Sequence, residues 1–217
     1  MTDQDEATRV RIRYEARLQH ARWGPLFHVF RLEQPGVVLD WRPNGFPTRG
    51  RPLLDGADVG LFLEPPLEPG LGALTLEVSP MVVVVAAGHP LAGYGELCVA
   101  DILDQPFPGG PSLHAEWAAF WTLDQQRGGP PARTDDDVRT AEHGLEVVAE
   151  GRAIATIPAS VAGGLAHPGV VALRLHDGPM VTTRLVWHAA ADNPLVRALV
   201  ELAGAWTRTG RPLRDQH

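Results

Sequence analysis

The stretch VRIRYEARLQHARWGPLFHVFRLEQPGVVLDW, residues 10–41, decides the fold. Val10-Arg11-Ile12-Arg13-Tyr14 alternates apolar and polar residues, the pattern of a strand with one buried face. Leu18, Trp23, Leu26, Phe27 and Phe30 then recur at helical spacing, which predicts an amphipathic helix over about 20–34. Pro35-Gly36 stops that helix, and Val37-Val38-Leu39-Asp40-Trp41 reads as a second strand. A short helical turn fits around Gly50–Asp55, and Asp58-Val59-Gly60-Leu61-Phe62-Leu63 reads as a third strand. Strand, helix and strand in this order predict a right-handed crossover and a parallel sheet.

Beyond this unit the alternation continues. Leu71–Val78 is a strand ending at Pro80, and Met81–Ala87 is apolar throughout, as in a strand covered on both faces. His114–Gln125 carries Trp117, Phe120, Trp121 and Leu123 at helical spacing. Thr140 can cap a helix from Ala141 to about Glu150. Ile154–Ile157, Val170–Leu175 and Thr183–Ala189 read as strands, with a short helix over Ser160–Ala166. Asn193-Pro194 opens a last helix whose buried stripe is Leu195, Leu199, Leu202 and Trp206. The class is α/β, in two compact lobes without a flexible linker. Residues 1–8 read as a frayed tail.

Composition narrows the function. The 217 residues carry 19 basic side chains, all arginine, against 26 acidic ones, for a formal charge of −7. A DNA reader needs a concentrated basic surface to displace counterions, and no basic run stands out here. The single Cys98 excludes an internal disulfide and any cysteine-based zinc motif. The polar, acidic opening is no signal peptide, and the most apolar run, Met81–Ala87, is too short to span a bilayer. A cytoplasmic protein without membrane contact is the expectation.

Five segments, in order, share a likeness. They are Leu26–Val37, with Phe30-Arg31 and Pro35-Gly36-Val37; Leu53-Leu54-Asp55-Gly56-Ala57-Asp58-Val59-Gly60-Leu61; and Val84–Ala92, with Gly88-His89-Pro90-Leu91. The other two are Ala100–Phe107, with Asp101-Ile102 and Pro106-Phe107, and Val147–Ser160, with Val148-Ala149-Glu150-Gly151 and Pro158-Ala159. Over about residues 9 to 205 the chain resembles the effector-binding half of LysR-type transcriptional regulators. The resemblance implies a type-2 periplasmic-binding-protein-like fold: two Rossmann-like lobes, each a three-layer α/β/α arrangement, joined by two hinge crossovers. Lobe I would comprise 9–79 plus 183–217, and lobe II 80–182. A small effector would bind in the cleft between them, and side-by-side homodimers would form. The family's winged-helix DNA-binding domain and linker helix precede this region and are absent from these 217 residues. Either the chain is a domain cut from a regulator, or it is a stand-alone cytoplasmic ligand-binding protein.

The same resemblance implies ligand-binding positions. Arg17, with Leu18 beside it, stands in the loop after the first strand, where the family usually presents a small hydroxyl residue. Arginine there can grip a carboxylate bidentately, or merely face solvent. Asn44–Arg49 occupies the loop after the second strand, with Thr48 and Arg49 as polar contacts, although a threonine after proline is commonly a cap. Leu63 ends the third strand, and Glu64 follows where some relatives place a basic residue. Pro111-Ser112 matches a lobe-II loop, and its bland alternative is a turn serine. Thr140 reads as a cap whether or not a ligand binds, and His143 as a cleft or a surface residue. Helix N-termini facing a cleft suit carboxylates, so an organic acid is the expected effector.

An enzyme on the same fold is the remaining alternative. No Gly-x-Ser-x-Gly elbow, phosphate loop or His-x-x-x-His spacing is present, and no cofactor or metal is expected. His89 reads as a structural turn residue, Asp135-Asp136-Asp137 as a solvated turn, and Cys98 as buried and inert.

Overall fold

The computed structural model describes residues 8–15, 17–165 and 167–209, the side chains of 17–19 excepted. Apart from Thr8, the expected frayed tail lies outside the described residues. The elements are β1 (Arg9–Tyr14), α1 (Arg17–Glu33), β2 (Val38–Pro43), β3 (Val59–Leu63), β4 (Leu71–Ala86), β5 (Glu96–Leu97), α2 (Ala115–Trp121) and α3 (Asp124–Arg127). Then come α4 (Ala141–Ala149), β6 (Ala155–Pro158), α5 (Ala159–Ala162), β7 (Val170–Leu175), β8 (Met180–His188) and α6 (Pro194–Thr209). Two short 3-10 turns, Pro90–Gly93 and Val99–Ile102, flank β5. Among the described residues no helix is long and apolar enough to cross a membrane.

The chain divides into two compact units. The first holds Met1–Asn44, Pro52–Glu77 and Thr182–His217; the second holds Gly45–Arg51 and Val78–Val181. In the first unit β1 is central. It pairs in parallel with β2, Arg9 opposite Val38, and with β3, Ile12 opposite Val59. β3 then pairs antiparallel with β8, Val59 opposite Trp187. The alternation of β1 turns Val10 and Ile12, both fully buried, onto a core shared with Phe30, Leu61, Leu185 and Leu199. α1 and α6 supply the helical side of that core. On a second cluster Leu53, Leu54 and Ala57 pack with Phe62 and Val186, so a loop takes a place where a short helical turn was expected. Gly60 makes room there, since a Cβ would lie 2.1 Å from the Phe62 ring.

In the second unit the later part of β4 is central. It pairs antiparallel with β7, Val82 opposite Arg174, and with β6, Met81 opposite Pro158. β5 adds in parallel to β7. Met81 to Val85 are all buried, as their unbroken apolar run predicts for a strand covered on both faces. Trp117 and Trp121 are buried in the same unit.

The parallel pairing expected from the alternation holds for β1 with β2, β1 with β3, and β5 with β7; the other pairs named are antiparallel, so the α/β sheet is mixed. The two strands expected to break at Pro80 form one continuous strand, β4. Pro80 is exposed there, a setting in which a missing N–H costs little. The helix expected over 114–125 is interrupted where Leu123 takes a left-handed conformation, φ 58°, and the helix expected over 160–166 is the four-residue α5.

Candidate functional site

Two groups of side chains gather the residues that the sequence singles out, one in each unit. In the first unit, β1 and β3 run in parallel and end side by side. The N–H of Glu15 donates to the carbonyl of Leu61 at 3.2 Å, and the N–H of Leu63 donates to the Glu15 carboxyl at 2.9 Å. Glu15 is 3% exposed. Burial pushes its pKa up to about 8 against the smaller opposing pull of the Leu63 N–H. At neutral pH the side chain is therefore mostly an uncharged carboxylic acid. Among the described residues no cation is paired with it. α1 begins two residues later, and its first-turn N–H groups have no partners within the helix.

Glu64 closes β3 in a left-handed conformation, φ 42°, unusual for a residue other than glycine. Its carboxylate accepts hydrogen bonds from both the N–H and the hydroxyl of Thr182, the latter at 2.7 Å, where β8 begins its course through this unit. The side-chain oxygen of Asn44, on the other flank of β1, is buried without a hydrogen-bond partner. Of the expected contacts, Leu63 is buried at this strand end. The backbones of Arg17 and Leu18 open α1, and their side chains lie outside the described residues.

The second group belongs to the second unit. Gly45–Arg51 follows β2 in sequence yet pairs with the loop before α2. Thr48 and Leu113 form an antiparallel bridge. The N–H of Arg49 donates to Ser112 at 2.9 Å, and the N–H of His114 to Pro47 at 2.9 Å. The Arg49 guanidinium adds a bond to the Leu113 carbonyl at 3.2 Å. Phe46 anchors the segment: its ring centre lies 4.7 Å from that of Trp117, and it packs on Val138, Val147 and Ala153. Gly45 adopts φ 68°, and a Cβ there would lie 2.8 Å from the carbonyl oxygen of Arg139.

Ser112 donates its hydroxyl to Asp137 at 2.9 Å, and Asp137 also accepts from Arg139 at 2.7 Å. The Arg139 guanidinium, and after it the Ser112 hydroxyl, hold the Asp137 carboxyl below the usual carboxylate range. Thr140 follows as the N-cap of α4, its hydroxyl accepting the N–H of His143 at 3.2 Å. Thr48, Arg49, Ser112 and Thr140 are thus joined by short hydrogen-bonded steps, with Pro111 exposed beside Ser112 and the His143 side chain exposed on the first turn of α4. This group offers hydroxyls and guanidinium N–H groups, a chemistry suited to polar or anionic small molecules.

Sequence reasoning missed Glu15. A lone glutamate after an alternating strand reads as solvent-facing, and only the tertiary fold shows that it is buried. It also missed the long-range pairing of 45–51, which leaves no periodic trace. Asp136 and Asp137 are more than a solvated turn: Asp136 pairs with Arg152, and Asp137 with Arg139 and Ser112. His89 is structural, its Nδ1 accepting the N–H of Leu91 at 3.1 Å. Cys98 is only half-buried, and its thiol donates to Asp101 at 3.1 Å, so it is not sealed in an apolar core. Its Sγ, the His176 ring and the Asp177 carboxylate lie within 4.8 Å of one another.

The LysR substrate binding domain family matches residues 3–208. Among solved structures, the BenM effector binding domain with its effector benzoate is similar at 18% identity and TM-score 0.70, over 96% of this chain and 98% of that one. The regulatory domain of Synechocystis PCC6803 CcmR in complex with 2-PG is similar at 17% identity and TM-score 0.73, over 93% and 98%. Full-length CbnR, complexed with its target DNA, is similar at 17% identity and TM-score 0.70, over 92% of this chain and 71% of that one. Among curated proteins none matches the sequence. The parallel β1–β3 strand ends, the order of elements and the family match over nearly the whole length lead to one conclusion: the chain belongs to the LysR substrate binding domain family.

Proposed function

We propose that the chain is the effector-sensing domain of a LysR-type transcriptional regulator: it binds a small molecule, an organic acid by class, without transforming it. The observation that carries this reading is the family match over residues 3–208. The benzoate and 2-PG held by two similar domains support a small anionic ligand. Arg17 would meet a carboxylate at the opening of α1, with Leu18 beside it. Glu15, protonated at neutral pH, adds no negative charge there. Leu63 would be an apolar wall at the first-unit strand end; in the second unit Thr48, Arg49, Ser112 and the α4 start at Thr140 and His143 would offer polar contacts, with Pro111 as a backbone wall. Binding shifts the protein between conformations only by as much as the ligand prefers one of them. The chain acts in the cytoplasm as a homodimer, and DNA contact falls to a winged-helix domain rather than to these residues.

A thermal-shift screen of small organic acids tests the reading. A true effector at a hundredfold excess over its Kd adds about 2.7 kcal/mol of stability. Arg17→Ala and Ser112→Ala should each weaken that ligand by about tenfold or more, because a hydrogen bond to a charged group is worth about 1.5–3 kcal/mol. An unchanged affinity in both variants removes the site assignment, and conversion of the recovered ligand would make the chain an enzyme.

A further inference from the structure

The strand pair β5–β7 delivers three metal-binding side chains to one spot. Leu97 and Leu175 are register partners in this parallel pair, so the next residues, Cys98 and His176, leave the sheet side by side. The N–H of His176 donates to the carbonyl of Leu97 at 3.0 Å, which fixes that alignment. Asp177 follows, and its carboxylate accepts the N–H of Val99 at 2.7 Å. Asp101, on the 3-10 turn after Cys98, accepts both the Cys98 N–H at 2.8 Å and the Cys98 thiol at 3.1 Å. Two carboxylates, each held by a backbone N–H, thus stand beside an imidazole and the chain's single thiol.

The charge at this spot is unbalanced. Among the described residues neither Asp101 nor Asp177 forms an ion pair with arginine, whereas Asp40, Asp58, Asp136 and Asp137 all do. The arginine of the β5–β7 pair, Arg174, is paired with Glu96.

We propose that Cys98, His176 and Asp177 bind a divalent transition-metal ion, with Zn2+ as the occupant. Thiolate sulfur, imidazole nitrogen and carboxylate oxygen together are the donor set of Zn2+ and of its spectroscopic substitute Co2+; Mg2+ and Ca2+ prefer all-oxygen shells. Metal–sulfur and metal–nitrogen bonds of about 2.3 and 2.0 Å put tetrahedral donors about 3.3–3.5 Å apart. The donors already lie within 4.8 Å of one another; the exposed His176 ring closes the remaining distance by rotation, while Asp177 keeps one oxygen on the Val99 N–H and turns the other to the ion. On binding, the Cys98 sulfur gives its proton to solvent and its electron pair to the metal. Asp101 loses its bond to the thiol with that proton but keeps the one to the Cys98 N–H, which holds the backbone of the ligating residue. The fourth position is left to water or to a ligand from outside. The ion would tie the two-residue β5 to β7, within the second unit and on residues separate from the Thr48–Ser112–Thr140 group.

The test uses the full chain without an affinity tag and Co2+ as the probe. Because Cys98 is the only cysteine, a near-ultraviolet thiolate-to-Co2+ charge-transfer band reports on this spot alone. The expected result is a band that saturates at one equivalent and disappears on adding Zn2+. Cys98→Ser should abolish it, and His176→Gln, at an exposed position, should weaken Co2+ binding at least tenfold while the circular dichroism spectrum stays unchanged. Absence of the band in the wild-type chain overturns the proposal. So does Co2+ affinity that is the same in His176→Gln, whether or not Cys98→Ser folds.

Discussion

At the scale of the residue, Glu15 is where burial and charge collide. Its carboxyl sits 3% exposed on the Leu63 N–H, with its pKa pushed up to about 8 by burial. The unfolded chain holds this group near its ordinary value of 4.5. Between those two values the folded protein binds a proton that the unfolded chain has released, so this group's contribution falls as pH rises from about 4.5 and levels off above about 8. The size follows from roughly 1.4 kcal/mol per pKa unit, a total on the order of 4–5 kcal/mol. Glu15→Gln keeps an acceptor for Leu63 and cannot ionise. Urea unfolding at pH 5 and pH 8 should show the variant gaining stability over the wild type at pH 8 but not at pH 5. Equal differences at the two values would mean that Glu15 is ionised in the folded state. Gly109 makes a simpler point: a Cβ there would lie 2.1 Å from the Thr134 carbonyl oxygen, so the residue is demanded by a close backbone approach that no local pattern reveals.

At the scale of the element, legibility follows periodicity and caps. β1, α4 and α6 were readable because alternation, a capping threonine and an apolar stripe each state a buried face in local terms. The cap is testable. Thr140 accepts the His143 N–H, and Thr140→Ala should cost about 1 kcal/mol in a thermal or denaturant melt, whereas Thr140→Ser should cost less. A loss near zero for Thr140→Ala would mean that α4 is held by packing alone. β5, with two residues, is too short to show a period, and β4 runs on through Pro80 because a proline's missing N–H matters only where the ladder needs it. The proposed binding positions are harder. Thr48 and Ser112 could be placed by family likeness, but the backbone bonds that join 45–51 to 109–114 are contacts of high sequence separation with no signature in either segment. The same holds for Cys98 with His176, which only the register of β5 on β7 brings together.

At the scale of the whole molecule, charge constrains the partner. A formal charge of −7, with several arginines paired to aspartates and glutamates, disfavours the counterion release that drives binding to DNA. These 217 residues on their own should therefore give no shift of duplex DNA in a gel at physiological salt, even at micromolar protein. A salt-dependent shift would show a basic surface that the charge distribution does not suggest.

The interleaving of the two units also sets an order of assembly. The chain passes from one unit to the other after Asn44, Arg51, Glu77 and Val181. When Val181 leaves the ribosome, the second unit is complete in sequence. The first unit still lacks most of β8, which flanks β3, and all of α6, which closes over its core. Gly45–Arg51 in turn waits some sixty residues for the 109–114 loop that receives it. Synthesis at about 5–20 residues per second makes these waits of the order of seconds, long compared with the closure of a short loop. The N-terminal half of the first unit is thus made first and finished last, and the open edge of β3, with the apolar face that α6 will cover, is the surface a chaperone would meet.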